Sequence, residues 1–196
     1  MKVAIIKYNA GNVQSVFYAL DRLGANYVLT DDESEIRAAD KVILPGVGEA
    51  SSTMRSLLER GLDRIIPTLK QPFLGTCVGL QLMCRHSEEG DTTCLGIFDI
   101  AVKKFPTDKG LKVPHVGWNT IRNYQTPLTR GLPDQAYVYF VHSYFAERCP
   151  YTTAQTDYAV PFSAMLQKDN FHAAQFHAEI SGEAGSRILE NFLKLG

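Results

Sequence analysis

Long apolar runs are absent from this chain: no stretch approaches the roughly 18 residues of a membrane span. The opening Met1-Lys2-Val3-Ala4-Ile5-Ile6-Lys7 is too short and too soon charged for a secretory leader, so a soluble, cytoplasmic protein is expected. An excess of charge of either sign is also missing. The formal net charge is −1 and the basic residues are scattered, which leaves no cationic face for nucleic acid or anionic lipid. The four cysteines, Cys77, Cys84, Cys94 and Cys149, have neither zinc-type pairing nor the density of a secreted disulfide scaffold, and reduced thiols are expected. A metal site built from Cys77, Cys84 and His86 lacks a second close ligand pair, so no metal and no cofactor are expected. Repeats, low-complexity tracts and linkers are lacking too. The exclusions leave small-molecule chemistry.

With 196 residues, 45% hydrophobic and 21% charged, the chain is long enough for one well-buried core and short for two, so a single domain over 1–196 is expected. The first half alternates strand and helix signals: a strand over 3–8, a helix over 13–23 stopped by Gly24, and strands over 27–30 and 41–44. Ser51 and Ser52 are placed to cap a helix running toward Arg60, and 62–69 reads as helical. Such alternation predicts a parallel sheet covered on both faces. The second half reads as strands over 97–103, 137–141, 153–158, 164–167 and 171–176, with some antiparallel pairing. An amphipathic helix over 183–195 carries Ile188, Leu189, Phe192 and Leu193 on one side.

The most informative segment is Gly75-Thr76-Cys77-Val78-Gly79, which follows the apolar Pro72-Phe73-Leu74. It reads as a nucleophile elbow, in which a strand turns abruptly into a helix and glycines two residues either side of the nucleophile relieve backbone crowding. A thiol at a helix start faces unpaired N–H groups and the positive end of the helix dipole, which favour the thiolate. The competing reading is an inert buried cysteine in a strand-to-helix connection. A cysteine nucleophile needs a base, and the base needs an orienting group. His177-Ala178-Glu179 offers both: at the end of the strand over 173–176, residues two apart point to the same side, so Glu179 can receive the imidazole N–H facing away from Cys77. Taken alone, His-x-Glu is commonly a surface pair; with the elbow it becomes a candidate triad of Cys77, His177 and Glu179.

An oxyanion formed by attack on a carbonyl needs donors. The N–H of Val78, next after the nucleophile, is one; Pro45-Gly46-Val47-Gly48, leaving an adjacent strand at its C-terminal end, offers Val47 N–H as the other. A phosphate-cradling glycine loop is the alternative for that segment, but a third glycine at the required spacing and a following Lys-Ser/Thr are absent.

These features resemble the class I glutamine amidotransferases, whose glutaminase domains carry Gly-x-Cys-x-Gly-x-Gln, completed here by Gln81, and a C-terminal His-x-Glu. Over nearly the whole chain, Gly11-Asn12-Val13-Gln14-Ser15-Val16, Pro45-Gly46-Val47-Gly48, Pro114-His115-Val116-Gly117-Trp118-Asn119 and Tyr139-Phe140-Val141-His142-Ser143-Tyr144 look like the histidine-biosynthesis branch of that family. The resemblance implies a flavodoxin-like α/β fold: a central, mostly parallel sheet flanked by helices, with additional antiparallel strands in the C-terminal half. It implies that L-glutamine is hydrolysed through a Cys77 thioester. Gly48, Gln81, Glu89, Ser143 and Tyr144 would hold the substrate, Glu89 at its ammonium group. The partner implied is a cyclase subunit with a (β/α)8 barrel, joined as a heterodimer, that combines the ammonia with a ribulosyl-containing aminoimidazole carboxamide nucleotide. Asn12, Trp118 and Tyr139 would lie at the contact. Two of these positions have plainer alternatives: Glu88-Glu89-Gly90-Asp91 as a solvated acidic loop, and Trp118 as a core residue. Three positions depart from the family pattern. Ala178 stands for the usual proline between His and Glu, Ala50 for a phenylalanine, and Ile180 for a basic residue. Rival functions are the glutaminase of another synthase, a silent regulatory subunit, and a Cys-His peptidase or chaperone-like hydrolase.

Overall fold

The structure is a computed structural model that describes residues 1–8, 13–108 and 110–196. In chain order its first half runs β1 (Lys2–Ile6), α1 (Gln14–Arg22), β2 (Asn26–Thr30), α2 (Glu33–Ala38), β3 (Lys41–Leu44), α3 (Ala50–Glu59), α4 (Leu62–Ile65), β4 (Phe73–Thr76) and α5 (Val78–Met83). There follow β5 (Cys84–Ser87), β6 (Thr92–Thr93), β7 (Phe98–Lys104), β8 (His115–Ile121), β9 (Ala136–His142), β10 (Tyr144–Ala146), β11 (Thr152–Tyr158), β12 (Val160–Lys168), β13 (Phe171–Ala174) and α6 (Gly182–Leu193).

The main sheet has seven strands in the order β11-β12-β13-β4-β3-β1-β2. From β13 to β2 every pairing is parallel, and β11 and β12 add antiparallel strands at one edge. The order β2-β1-β3-β4 followed by β13 is the flavodoxin-like winding. Strands buried on both faces must be apolar at successive positions, and β1 shows why Val3-Ala4-Ile5-Ile6 is unbroken. Ala4 and Ile6 pack with Leu57, Met83 and Phe98 on one face of the sheet. Val3 and Ile5 pack with Leu20, Phe140, Ile188 and Phe192 on the other. Two smaller sheets complete the molecule: a four-stranded one, β10-β7-β5-β6, and the antiparallel ribbon β8-β9.

Several local expectations change. The segment 33–38 is a helix, because Asp32 caps it by accepting from Glu35 N–H at 2.9 Å. Ser51 and Ser52 do not cap α3 but sit inside its first turn, hydrogen-bonded to Glu49; the helix-start N–H of Ala50 instead meets the Glu89 carboxylate at 2.8 Å. Residues 115–121 form a strand, with Gly117 at φ +135°, paired to β9 along its full length. The last parallel strand stops at Ala174, so His177 and Glu179 lie beyond it: His177 is extended and Glu179 sits in a one-turn 3-10 helix over 178–180.

Candidate active site

Cys77 stands between β4 and α5 with φ 49° and ψ −109°, a backbone conformation that costs a non-glycine residue about 1–3 kcal/mol and recurs where a nucleophile is held up into a cleft. The flanking glycines are required by contact. A Cβ on Gly75 would lie 2.5 Å from Met83 Sδ, and one on Gly79 would lie 2.3 Å from the Leu44 carbonyl oxygen. A Cβ on Gly46, in the loop after β3, would meet the Thr76 carbonyl at 1.7 Å. The loop and the elbow therefore touch backbone to backbone. The position of Cys77 is set from the opposite side by its own N–H, which donates to Ala174 O of β13 at 2.8 Å.

The same strand leads into His177. Its Nδ1–H donates to Glu179 Oε1 at 2.7 Å, which leaves Nε2 for the sulfur of Cys77, to which the imidazole is hydrogen-bonded. Burial disfavours a charge on this ring, but the hydrogen bonds it donates to Cys77 and Glu179, together with their negative charge, outweigh it and lift its pKa to about 10. Glu179 reaches the ring although it is not on the strand, because the 3-10 turn folds it back. That turn is fastened to β9: His177 N–H donates to Tyr139 O at 3.0 Å, Tyr139 N–H donates to Ser181 Oγ at 2.9 Å, and Ser181 Oγ–H donates to His177 O at 2.6 Å.

A cleft of about 370 Å³ opens over Cys77, lined by Gly46, Val47, Gly48, Val78, Gln81, Glu89, Pro114, Val141, His142, Ser143, Tyr144 and His177. All five residues expected to hold substrate line it. Gln81 is buried and its amide nitrogen donates to Tyr144 O at 3.0 Å and to Gln175 Oε1 at 3.3 Å. Both amide protons are thereby used, so Gln81 offers the cleft an acceptor oxygen. Glu89 has a pKa raised by burial, opposed by its bond to Ala50 N–H and reinforced by Glu49. Glu49, Glu88 and Glu89 all lie near enough to the Tyr144 hydroxyl to raise its pKa after burial has done so. This end of the cleft favours a cation.

Val47 lines the cleft, but its N–H is directed to Tyr8 Oη at 3.2 Å, and the Tyr8 hydroxyl donates to Pro45 O at 2.5 Å. Tyr8 is buried, and that burial pushes its pKa to about 12. Its role could not be read from sequence, although it stands just past the C-terminal end of β1, where α/β sheets place their sites.

Beneath Ser143 and Tyr144, a chain of hydrogen bonds fixes two histidine tautomers. Tyr144 O accepts from His142 Nδ1–H at 2.7 Å, so His142 Nε2 accepts from His115 Nδ1–H at 3.1 Å. Both rings are buried and neutral: desolvation lowers His115 to about 4 and, aided by the charge on His177, His142 to about 3. Above them the β8-β9 ribbon turns Val116, Trp118, Tyr137 and Val141 outward, with Ile180 also exposed. Trp118 is 55% exposed and meets Tyr139 edge to face at 5.8 Å, which removes the core reading. Asn12 lies outside the described residues.

A thiol on a strand-to-helix elbow, faced by a carboxylate-oriented histidine at the C-terminal edge of a doubly wound sheet, is the arrangement of a cysteine-nucleophile enzyme. The chain belongs to the class I glutamine amidotransferase family, whose model matches residues 4–195. It is 59% identical over 196 residues to imidazole glycerol phosphate synthase subunit HisH of Bacteroides fragilis, and 46% identical over 197 aligned residues to the protein of that name in Yersinia pseudotuberculosis; each comparison covers 100% of both sequences. Among solved structures, PurLQS of Thermotoga maritima superposes with TM-score 0.69 at 16% identity, covering 98% of this chain and 97% of that one. A glutamine amidotransferase of the same organism gives TM-score 0.65 at 14% identity, covering 98% and 82%. These last two show the fold alone. No helix among the described residues is long and apolar enough to cross a membrane, and no cluster of three or more His, Cys, Asp or Glu among them is arranged to hold a metal ion.

Proposed function

We propose that this chain is the glutaminase subunit of an imidazole glycerol phosphate synthase in histidine biosynthesis, a single cytoplasmic domain that hydrolyses L-glutamine and passes the ammonia to a cyclase partner. The full-length identity to subunits of that name supports the pathway. The observation that carries the chemistry is the convergence of Cys77, His177, Gln81 and Glu89 on one cleft sized for an amino acid.

The Cys77 thiolate attacks the side-chain amide carbon of glutamine, and the carbonyl oxygen takes the displaced electron pair. The imidazolium of His177 gives its proton to the departing nitrogen as the C–N bond breaks, leaving a thioester and ammonia. Neutral His177 then takes a proton from water as its oxygen attacks the thioester; the C–S bond breaks, glutamate leaves, and the thiolate-imidazolium pair is restored. Glu179 holds the ring and stabilises its charge throughout. Glu89 binds the substrate ammonium, Gln81 Oε1 accepts from the substrate, and Gly48, Ser143 and Tyr144 complete the walls. The oxyanion is met by Val78 N–H, with Val47 N–H as second donor once it leaves Tyr8. Since the leaving ammonia is protonated in bulk water and no longer nucleophilic, the apolar ribbon of Val116, Trp118, Tyr139 and Val141 beside the cleft is the surface on which a (β/α)8-barrel cyclase seats as a heterodimer. Asn12 belongs to that contact by the same family likeness. Ile180, in place of a basic residue, gives that edge an apolar contact.

Glutamate release by the purified chain, alone and with the cyclase and its nucleotide ligand, tests this reading. Release that rises strongly with the partner is expected; none under either condition leaves a silent regulatory subunit. Cys77→Ser is expected to abolish glutamine-dependent synthesis while synthesis from free ammonium salts persists, and loss of both activities would refute the division of labour.

A further inference from the structure

Gln175 shares the buried segment 171–176 with one other polar residue, His172, and belongs to none of the motifs described above. It is 0% exposed and does not line the cleft, yet its Nε2 lies 3.9 Å from Cys77 Sγ in hydrogen-bonding geometry. The register explains the contact: Ala174 pairs with Thr76 across the parallel β13-β4 ladder, so the residues that follow, Gln175 and Cys77, leave their strands side by side. A buried amide left without partners costs about 1–3 kcal/mol. The side-chain partners of Gln175 are the nucleophile and Gln81, which belong to the site and not to the surrounding core.

The orientation of this amide follows from one backbone carbonyl. Tyr144 O can only accept, so the Gln81 atom 3.0 Å from it is the nitrogen. That nitrogen also donates to Gln175, so the Gln175 atom facing it, at 3.3 Å, is the oxygen. The Gln175 nitrogen is then turned toward sulfur. His142 Nδ1–H donates to the same carbonyl and fixes it from the other side.

We propose that Gln175 is a further catalytic residue of this site, donating a hydrogen bond from Nε2 to the Cys77 thiolate and so holding the sulfur charged and aimed between attack and departure. This rests on the glutaminase reading for its function, though not for its chemistry. Three other groups face the sulfur. His177 pairs with it as a cation; Val141 O, 3.7 Å away, accepts from the neutral thiol and repels the thiolate; and the Tyr8 hydroxyl lies within electrostatic range. Gln175 is the neutral donor among them, and its bond survives when His177 gives up its proton to the leaving nitrogen. The same bond receives the thiolate again as the thioester breaks.

The test is the rate of Cys77 alkylation by iodoacetamide against pH on the isolated chain, followed by mass spectrometry of the Cys77 peptide. For Gln175→Met, which keeps the volume and loses the donor, and for Gln175→Glu, which sets an oxygen against the sulfur, the rate at pH 7 is expected to fall about tenfold, the size of one charge-assisted hydrogen bond. The alkaline plateau should be kept. With the cyclase partner present, kcat for glutamine should fall similarly in Gln175→Glu while KM stays within about twofold, since this variant keeps an oxygen to accept from Gln81. A pH profile identical to the parent chain, or a plateau lowered at every pH, would overturn the proposal and leave Gln175 a structural bridge. Should both variants fail to fold, the side-chain amide protons of Gln175 in the parent chain decide: they move in the NMR spectrum as Cys77 ionises if the bond exists, and stay fixed if it does not. An unaltered chain that releases no glutamate with its partner would refute the glutaminase reading, while the alkylation profile would still settle the donor.

Discussion

At Val47 a single hydrogen bond, to Tyr8, sets where the proposed second oxyanion donor points. An oxyanion donor helps only when its N–H points to where negative charge develops, and here the Val47 N–H points to Tyr8 Oη at 3.2 Å. The loop is held in that state from both ends, because the Tyr8 hydroxyl also donates to Pro45 O. Removing the hydroxyl takes away about 1 kcal/mol of preference for the turned-away state, equivalent to about a fivefold rise in the population with the N–H free. Tyr8→Phe is therefore expected to raise glutamate release by the isolated chain about fivefold and to shrink the stimulation given by the partner. Basal activity that does not move would show that Tyr8 packs the loop without restraining it.

At the level of elements, the β8-β9 ribbon joins the exposed surface to the triad. Trp118 and Tyr139 stand opposite one another in its register, and the Tyr139 backbone clasps the turn that carries His177. A partner seated on the ribbon, as proposed above, would bear on His177 through these bonds. Trp118→Ala is expected to weaken association with the cyclase by roughly 2 kcal/mol or more, measured by calorimetry. The urea midpoint of the free chain should barely change, because the indole is 55% exposed; unaltered affinity would move the contact elsewhere on the surface. How legible such elements were in the sequence depends on which forces shape them. The parallel strands β1, β3 and β4 were readable because burial on both faces demands unbroken apolar runs. The strand β8 was not, since its alternation is inverted, with His115 buried and Val116 and Trp118 exposed, and it is held by pairing to a strand some twenty residues away. Helix α2 carried a usable signal in Asp32-x-x-Glu35, but over a single short segment. For the site, Cys77 and Gln81 follow from the elbow motif, and His177 with Glu179 from proximity in sequence. Gln175 and Tyr8 became visible only when the β13-β4 register and the loop after β3 brought distant backbone beside them.

Across the whole molecule, three histidines are buried in neutral form. His115 and His142 lie among Phe105, Phe140, Tyr158 and Phe162, and His172 lies in β13 with no partner for its Nδ1. Desolvation is the leading cause in each case, and it holds His115 and His172 to about 4 and His142 to about 3, against an ordinary value of 6.5. A base whose folded pKa is depressed is protonated first in the unfolded chain. Acid therefore draws the equilibrium toward unfolding, and the contribution is complete above about 6.5 and lost as pH falls toward 4. Between pH 7 and pH 5 each such group costs about 2 kcal/mol, and three of them are enough to remove a large part of the stability of a domain of this size. The urea midpoint is expected to drop between pH 6.5 and pH 5, the raised pKa values of His177 and Glu89 opposing only part of the loss. In NMR spectra of the folded chain over the same range, the imidazole resonances of these three rings should remain in the neutral form. A midpoint that stays flat to pH 5, or rings that titrate near 6.5, would mean that water reaches the chain of hydrogen bonds under Ser143 and Tyr144. That wall of the cleft would then be held by packing alone, and the fixed tautomers that aim Tyr144 O, and through it Gln81 and Gln175, would have to be given up.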